Sequence, residues 1–70
     1  CGRSVDTASN LVVLKTPPGS AHLGGVAVDQ AELPEVVGTI SGDDTIFLAL
    51  RSPAEAETLA ERLRRLELEP

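Results

Sequence analysis

Seventy residues make one small domain, which buries only about 60% of its unfolded surface and gains no more than ~3–5 kcal/mol of net stability from its core. Cys1 is the only cysteine and His22 the only histidine. That excludes an internal disulfide and a Cys/His zinc site, leaving a partner subunit as the remaining support for so small a fold. Six basic against eleven acidic side chains give a net charge of −5, the wrong sign for neutralising phosphates, so the chain is not expected to bind DNA by itself.

The chain starts at Cys1 without Met, as a piece of a longer protein would. Residues 1–9, CGRSVDTAS, are small and polar around one Val and read as a leader or a short edge strand. NLVVLKT, residues 10–16, is β-branched and apolar and predicts a buried strand, ended by the turn Pro17-Pro18-Gly19. Residues 20–31 have helical spacing, with Ser20 as N-cap and Leu23, Val26, Ala27 and Gln30 or Ala31 along one stripe; Leu33-Pro34 closes the segment. Two β-rich runs, 36–41 and 45–51, flank Gly42-Asp43-Asp44 and predict a hairpin. Ser52-Pro53-Ala54-Glu55 then forms a capping box with Pro at the first helical position. It opens a helix over about 53–67 whose apolar stripe is Ala56, Leu59, Ala60, Leu63 and Leu66. Arg62, Arg64 and Arg65 are interleaved with Glu61 and Glu67 on its polar face. No apolar run approaches the ~20 residues that span a bilayer, and no secretion leader is visible, so a cytoplasmic location is expected.

The element order is therefore (β)βαββα. It predicts an α+β (α/β sandwich) fold: a mainly antiparallel four-stranded sheet with two helices on one face. The strand cores, Leu11-Val12-Val13-Leu14 and Ile46-Phe47-Leu48-Ala49-Leu50, are apolar at successive positions instead of alternating. Both faces of the sheet are then expected to be buried, the second by subunit contacts. Phe47, the sole aromatic, leaves the rest of the core to aliphatic side chains.

Asp43-Asp44 is the first candidate for chemistry. Read from spacing alone, it is either a solvated turn or a cation site, because burying two adjacent carboxylates demands a guanidinium, an ammonium or a metal ion. His22 and Asp29 lie two helical turns apart on one stripe of the first predicted helix. Asp29 falls near that helix's C-terminus, where the dipole disfavours an anion; the bland readings are a surface histidine and a solvated acid. Gly24-Gly25, in the same helix, marks either a close backbone approach or a weak helix. Thr39 and Ser41 are ordinary strand residues unless their hydroxyls or neighbouring carbonyls line a polar pocket. No nucleophile turn, Cys/His pair or phosphate loop points to catalysis, and no catalytic or metal-ligating residue is assigned.

With these segments placed, NLVVLKTPPGSAH followed by VVGTISGDDTIFLALR resembles the C-terminal domain of the bacterial arginine repressors. The likeness extends over about residues 10–68, with NLVVLKTPPG and GTISGDDTI as its specific parts. It implies that residues 10–70 are an arginine-binding, oligomerising domain and that three copies form a trimer, two trimers a hexamer. Family members also carry an N-terminal winged helix-turn-helix that reads operator DNA, which this sequence does not include. The resemblance further implies L-arginine as co-repressor, bound between trimers without another cofactor. Asp43 and Asp44 would face its guanidinium and amino groups, and His22, Asp29, Thr39 and Ser41 would complete the pocket. Ser41 stands where Ala is common in the family. Two other functions remain to be separated from this one: a purely structural assembly module, and a small metal-dependent enzyme built on Asp43 and Asp44.

Overall fold

The computed structural model describes residues 4–19 and 33–67. Strand β1, Ser4–Ala8, turns back through Ser9-Asn10 into β2, Leu11–Lys15. A second hairpin pairs β3, Gly38–Ser41, with β4, Thr45–Ala49, and the single helix among the described residues, α1, runs over Pro53–Glu67. The sheet order is β1-β2-β4-β3, every pair antiparallel. The antiparallel four-stranded sheet and the helix at 53–67 agree with the sequence. The predicted first helix, residues 20–31, with His22, Asp29 and Gly24-Gly25, lies outside the described residues, so one of the two expected helices is observed.

Cross-strand register decides which residues form the core. Val5, Leu14 and Ile46 stand in one row and Val12, Leu48 and Thr39 in the next, all on the face that α1 covers over β1 and β2. There Val12, Ile46, Leu48 and Leu50 meet Ala56, Leu59 and Ala60 of α1, each buried almost completely, with Leu63 packed against them. Each large aliphatic side chain in this layer contributes about 1.5–3 kcal/mol. The side chain of Leu66, the last of the predicted stripe, lies outside the described residues. At the helix start, the Glu55 N–H donates to Ser52 Oγ at 3.1 Å, while the Ser52 hydroxyl donates to Glu55 Oε2 at 3.1 Å. The capping box thus satisfies an end N–H that has no partner within the helix.

The opposite face is not covered by α1 or any other described element. Its central row is Asp6, Val13, Phe47 and Ile40, with Phe47 45% and Ile40 74% exposed. The successive apolar positions of β4 therefore alternate between core and surface within one chain, and the expected burial of both faces is not achieved by a single copy.

Long-range hydrogen bonds close the sheet's two ends. Asn10 accepts at its carbonyl from the Leu50 N–H at 2.9 Å, and its Nδ2 donates back to the Leu50 carbonyl at 3.0 Å, fixing the exit of β4 toward α1. The preceding residue, Ser9, has φ 56°, a left-handed conformation that costs a residue with a Cβ about 1–2 kcal/mol. Replacing Ser9 with Gly removes this cost but adds unfolded-state entropy, for an expected net gain of ~0.5 kcal/mol or roughly 2–4 °C in Tm. Thermal melts at matched protein concentration check it; an unchanged or lower Tm would show that the turn carries no strain.

Candidate functional site

Asp43 and Asp44 form the two-residue tip between β3 and β4, closed by the Gly42 N–H donating to the Thr45 carbonyl at 2.7 Å. Both belong to a turn that the sequence explains by conformational tolerance, yet Gly42, Asp43 and Asp44 all keep negative φ. The tip is also held from outside the hairpin. The Thr16 N–H donates to the Asp44 carbonyl at 2.9 Å and the Gly19 N–H donates to the Asp43 carbonyl at 3.0 Å. Pro17 and Pro18 have no N–H, so the two donors nearest that proline pair are the ones used. Gly19 reaches its acceptor with φ +82°, where a side chain would be strained. In this way the segment after β2 holds the backbone of the acidic turn.

Among the described residues the carboxylates have few intramolecular partners. Asp43 is exposed and Asp44 half-buried. Asp44 Oδ1 accepts from the Thr45 hydroxyl at 2.8 Å, and Thr45 Oγ1 in turn accepts from Lys15 Nζ at 2.9 Å. The ion pairs between described residues lie elsewhere: Arg62 with Glu35 at 2.8 Å, and Arg64 and Arg65 with Glu61 at 3.9 and 3.8 Å. These exposed pairs each contribute under about 1 kcal/mol, but they occupy the helix arginines with acids of their own. Arg64 also donates from Nε to the Val5 carbonyl at 3.0 Å, holding α1 to the outer strand β1.

Of the six residues nominated from the sequence, the structure brings Ser41, Asp43 and Asp44 to one end of the sheet, with Thr39 one row further in. By register Thr39 and Ser41 lie on the core face with Leu48 and Ile46, whereas Thr45, the partner of Asp44, pairs with Lys15 on the uncovered face. His22 and Asp29 lie outside the described residues. Lys15, Thr16, Gly19 and Thr45, none of them among those six, hold the acidic turn. Their role depends on the β2–β4 register, and the only local sign of it is the proximity of Lys15-Thr16 to the Pro17-Pro18-Gly19 break. Among the described residues, no three His, Cys, Asp or Glu side chains converge as a metal site, and no helix is long and apolar enough to cross a membrane.

The arrangement suits capture of an organic cation. Two carboxylates on a tip whose backbone is hydrogen-bonded to Thr16 and Gly19 offer charged acceptors with no internal ion pair among the described residues, and a planar guanidinium can engage such acceptors in bidentate fashion. A comparison with known families gives a match: the sequence model described as arginine repressor, C-terminal domain, matches residues 2–65.

Proposed function

Because the chain belongs to the arginine repressor C-terminal domain family, we propose that it is the effector-sensing part of a transcriptional regulator of arginine metabolism, binding L-arginine at subunit interfaces and assembling trimers into a hexamer. The family is a regulatory one. The observation that carries the reading to this chain is the pinned acidic tip, whose backbone is fixed by Thr16 and Gly19 while its carboxylates form no ion pair with another described residue. Asp43 and Asp44 are assigned to the guanidinium and amino groups of L-arginine, with His22, Asp29, Thr39 and Ser41 completing the pocket. L-arginine is the only small molecule the reading requires. Operator DNA would be contacted through a separate N-terminal winged helix-turn-helix, since net charge −5 disfavours phosphate contact by this domain. The uncovered row Val13-Phe47-Ile40 supplies an apolar surface for self-association, which a domain of this size needs.

Titration calorimetry with L-arginine, L-lysine and L-citrulline tests the assignment. Lysine carries the same charge without the planar fork, and citrulline keeps much of the shape without the charge. Arginine is expected to bind at least about tenfold more tightly than either, the equivalent of one charge-assisted hydrogen bond. Equal affinity for arginine and lysine would identify a nonspecific acidic patch, and no heat with any of them would leave a structural assembly module.

A further inference from the structure

We propose that Lys15 is a positioning residue for the Asp44 carboxylate, acting through the Thr45 hydroxyl; the proposal rests on the reading of Asp44 as a ligand-binding acid. The direction of the hydrogen-bond chain follows from the groups themselves. An ammonium has only donors, so in the 2.9 Å contact Lys15 Nζ donates and Thr45 Oγ1 accepts. A hydroxyl has one proton, and with its oxygen engaged by Lys15 that proton is directed to Asp44 Oδ1 at 2.8 Å. Lys15 and Thr45 face each other across the β2–β4 pair, so the sheet register fixes one end of the relay. The adjoining Thr16 N–H holds the Asp44 carbonyl at 2.9 Å. Consecutive residues at the end of β2 therefore secure the backbone of Asp44 directly and its carboxylate through one intermediary.

The intermediary matters for a cation-binding acid. A direct Lys15–Asp44 ion pair would occupy the carboxylate with the chain's own cation, and an incoming guanidinium would have to displace it. None of the ion pairs between described residues joins the two. With a hydroxyl interposed, Oδ1 receives one neutral donor that sets its orientation, and no other described residue donates to Oδ2 or to the remaining lone pair of Oδ1, which can then serve the ligand. The site gains an oriented acceptor and keeps its charge.

The two roles that Lys15 could have differ in sign. If it only repels a cationic ligand, replacing it strengthens arginine binding; if it positions Asp44, replacing it weakens binding, because the carboxylate then samples its other staggered rotamers. Calorimetry with L-arginine is to be run on the wild-type chain and on Lys15→Met, Lys15→Arg, Thr45→Val, the double variant Lys15→Met/Thr45→Val, and Asp44→Asn. The expected result is an affinity lowered roughly three- to tenfold by Lys15→Met, a similar loss in Thr45→Val, no further loss in the double variant, and near wild-type binding in Lys15→Arg, which keeps the donor. A merely structural effect on folding would make the two losses accumulate and would not be rescued by arginine at position 15. Unchanged or tighter binding in Lys15→Met, with Asp44→Asn strongly impaired, overturns the positioning role alone. Wild-type affinity in Asp44→Asn overturns the assignment of Asp44 to the ligand, and this inference falls with it.

Discussion

Replacing Phe47 with Glu is expected to reduce the proposed assembly to monomers. Phe47 is the only aromatic side chain and sits in the middle of the uncovered row between Val13 and Ile40, on the side of β4 opposite the buried Ile46 and Leu48. In an assembly that covers this face, each copy loses the burial of one large apolar side chain, about 1.5–3 kcal/mol, and a carboxylate enters the apolar contact unpaired. Taking ~3 kcal/mol per subunit, repetition over three subunits amounts to a fall of roughly 10⁶-fold in the trimer association constant. Sedimentation velocity measures this directly. Because Phe47 makes no part of the buried cluster, far-ultraviolet circular dichroism should still report the sheet and α1, although the isolated 70-residue domain should melt at lower temperature and independently of concentration. A variant that sediments like the wild type would show that the subunits meet elsewhere.

The parts of this architecture that were legible in the sequence are those with local causes. Ser52-Pro53-Ala54-Glu55 carries its own hydrogen-bonding instructions, and α1 begins at Pro53 as that motif requires. The Gly42-Asp43-Asp44 turn and its flanking β-rich runs likewise produce the β3–β4 hairpin. Residues 4–8 were harder to place, because Ser9-Asn10 turns the chain without a glycine and Val5 is the single large apolar residue of its strand. The apolar run of β4 indicated burial on both sides, but a run without alternation does not say whether the second side is covered by the same chain. Phe47 and Ile40 show that in one protomer it is not. At the candidate site the acidic pair was visible from its composition. Its supports were not: the bonds from Thr16, Gly19 and Lys15 join residues 24 to 30 positions apart, and no local pattern specifies which donors will meet there.

Asn at position 43 or 44 is expected to weaken L-arginine binding while leaving the ligand-free hexamer no less stable. The first effect follows from chemistry: Asn has nearly the same shape but one neutral carbonyl acceptor in place of a charged pair of oxygens. A charge-assisted hydrogen bond of about 1.5–3 kcal/mol is lost, or roughly 10- to 150-fold in affinity. Because Asp44 Oδ1 already accepts from Thr45, substitution there also leaves that hydroxyl competing for the one remaining acceptor, and Asp44→Asn should be the more severe of the two. The second effect follows from the proposed location. Acids from opposing trimers that converge across an interface repel one another when no cation lies between them, and neutralising some of them lowers that repulsion. In the proposed site, arginine would perform the same service for the wild-type chain. By linkage, a ligand that prefers the hexamer moves trimers toward it, and by no more than its differential affinity for the two states. Sedimentation velocity on the wild type and both variants, with and without arginine and at concentrations where hexamer is not saturated, separates these contributions. The expected pattern is an arginine-driven shift in the wild type, a reduced shift in both variants, and a ligand-free hexamer fraction in the variants equal to or above that of the wild type. A wild-type balance that ignores arginine would remove the link between ligand and assembly, and variants with less ligand-free hexamer would mean that the acids hold the trimers together instead of pushing them apart.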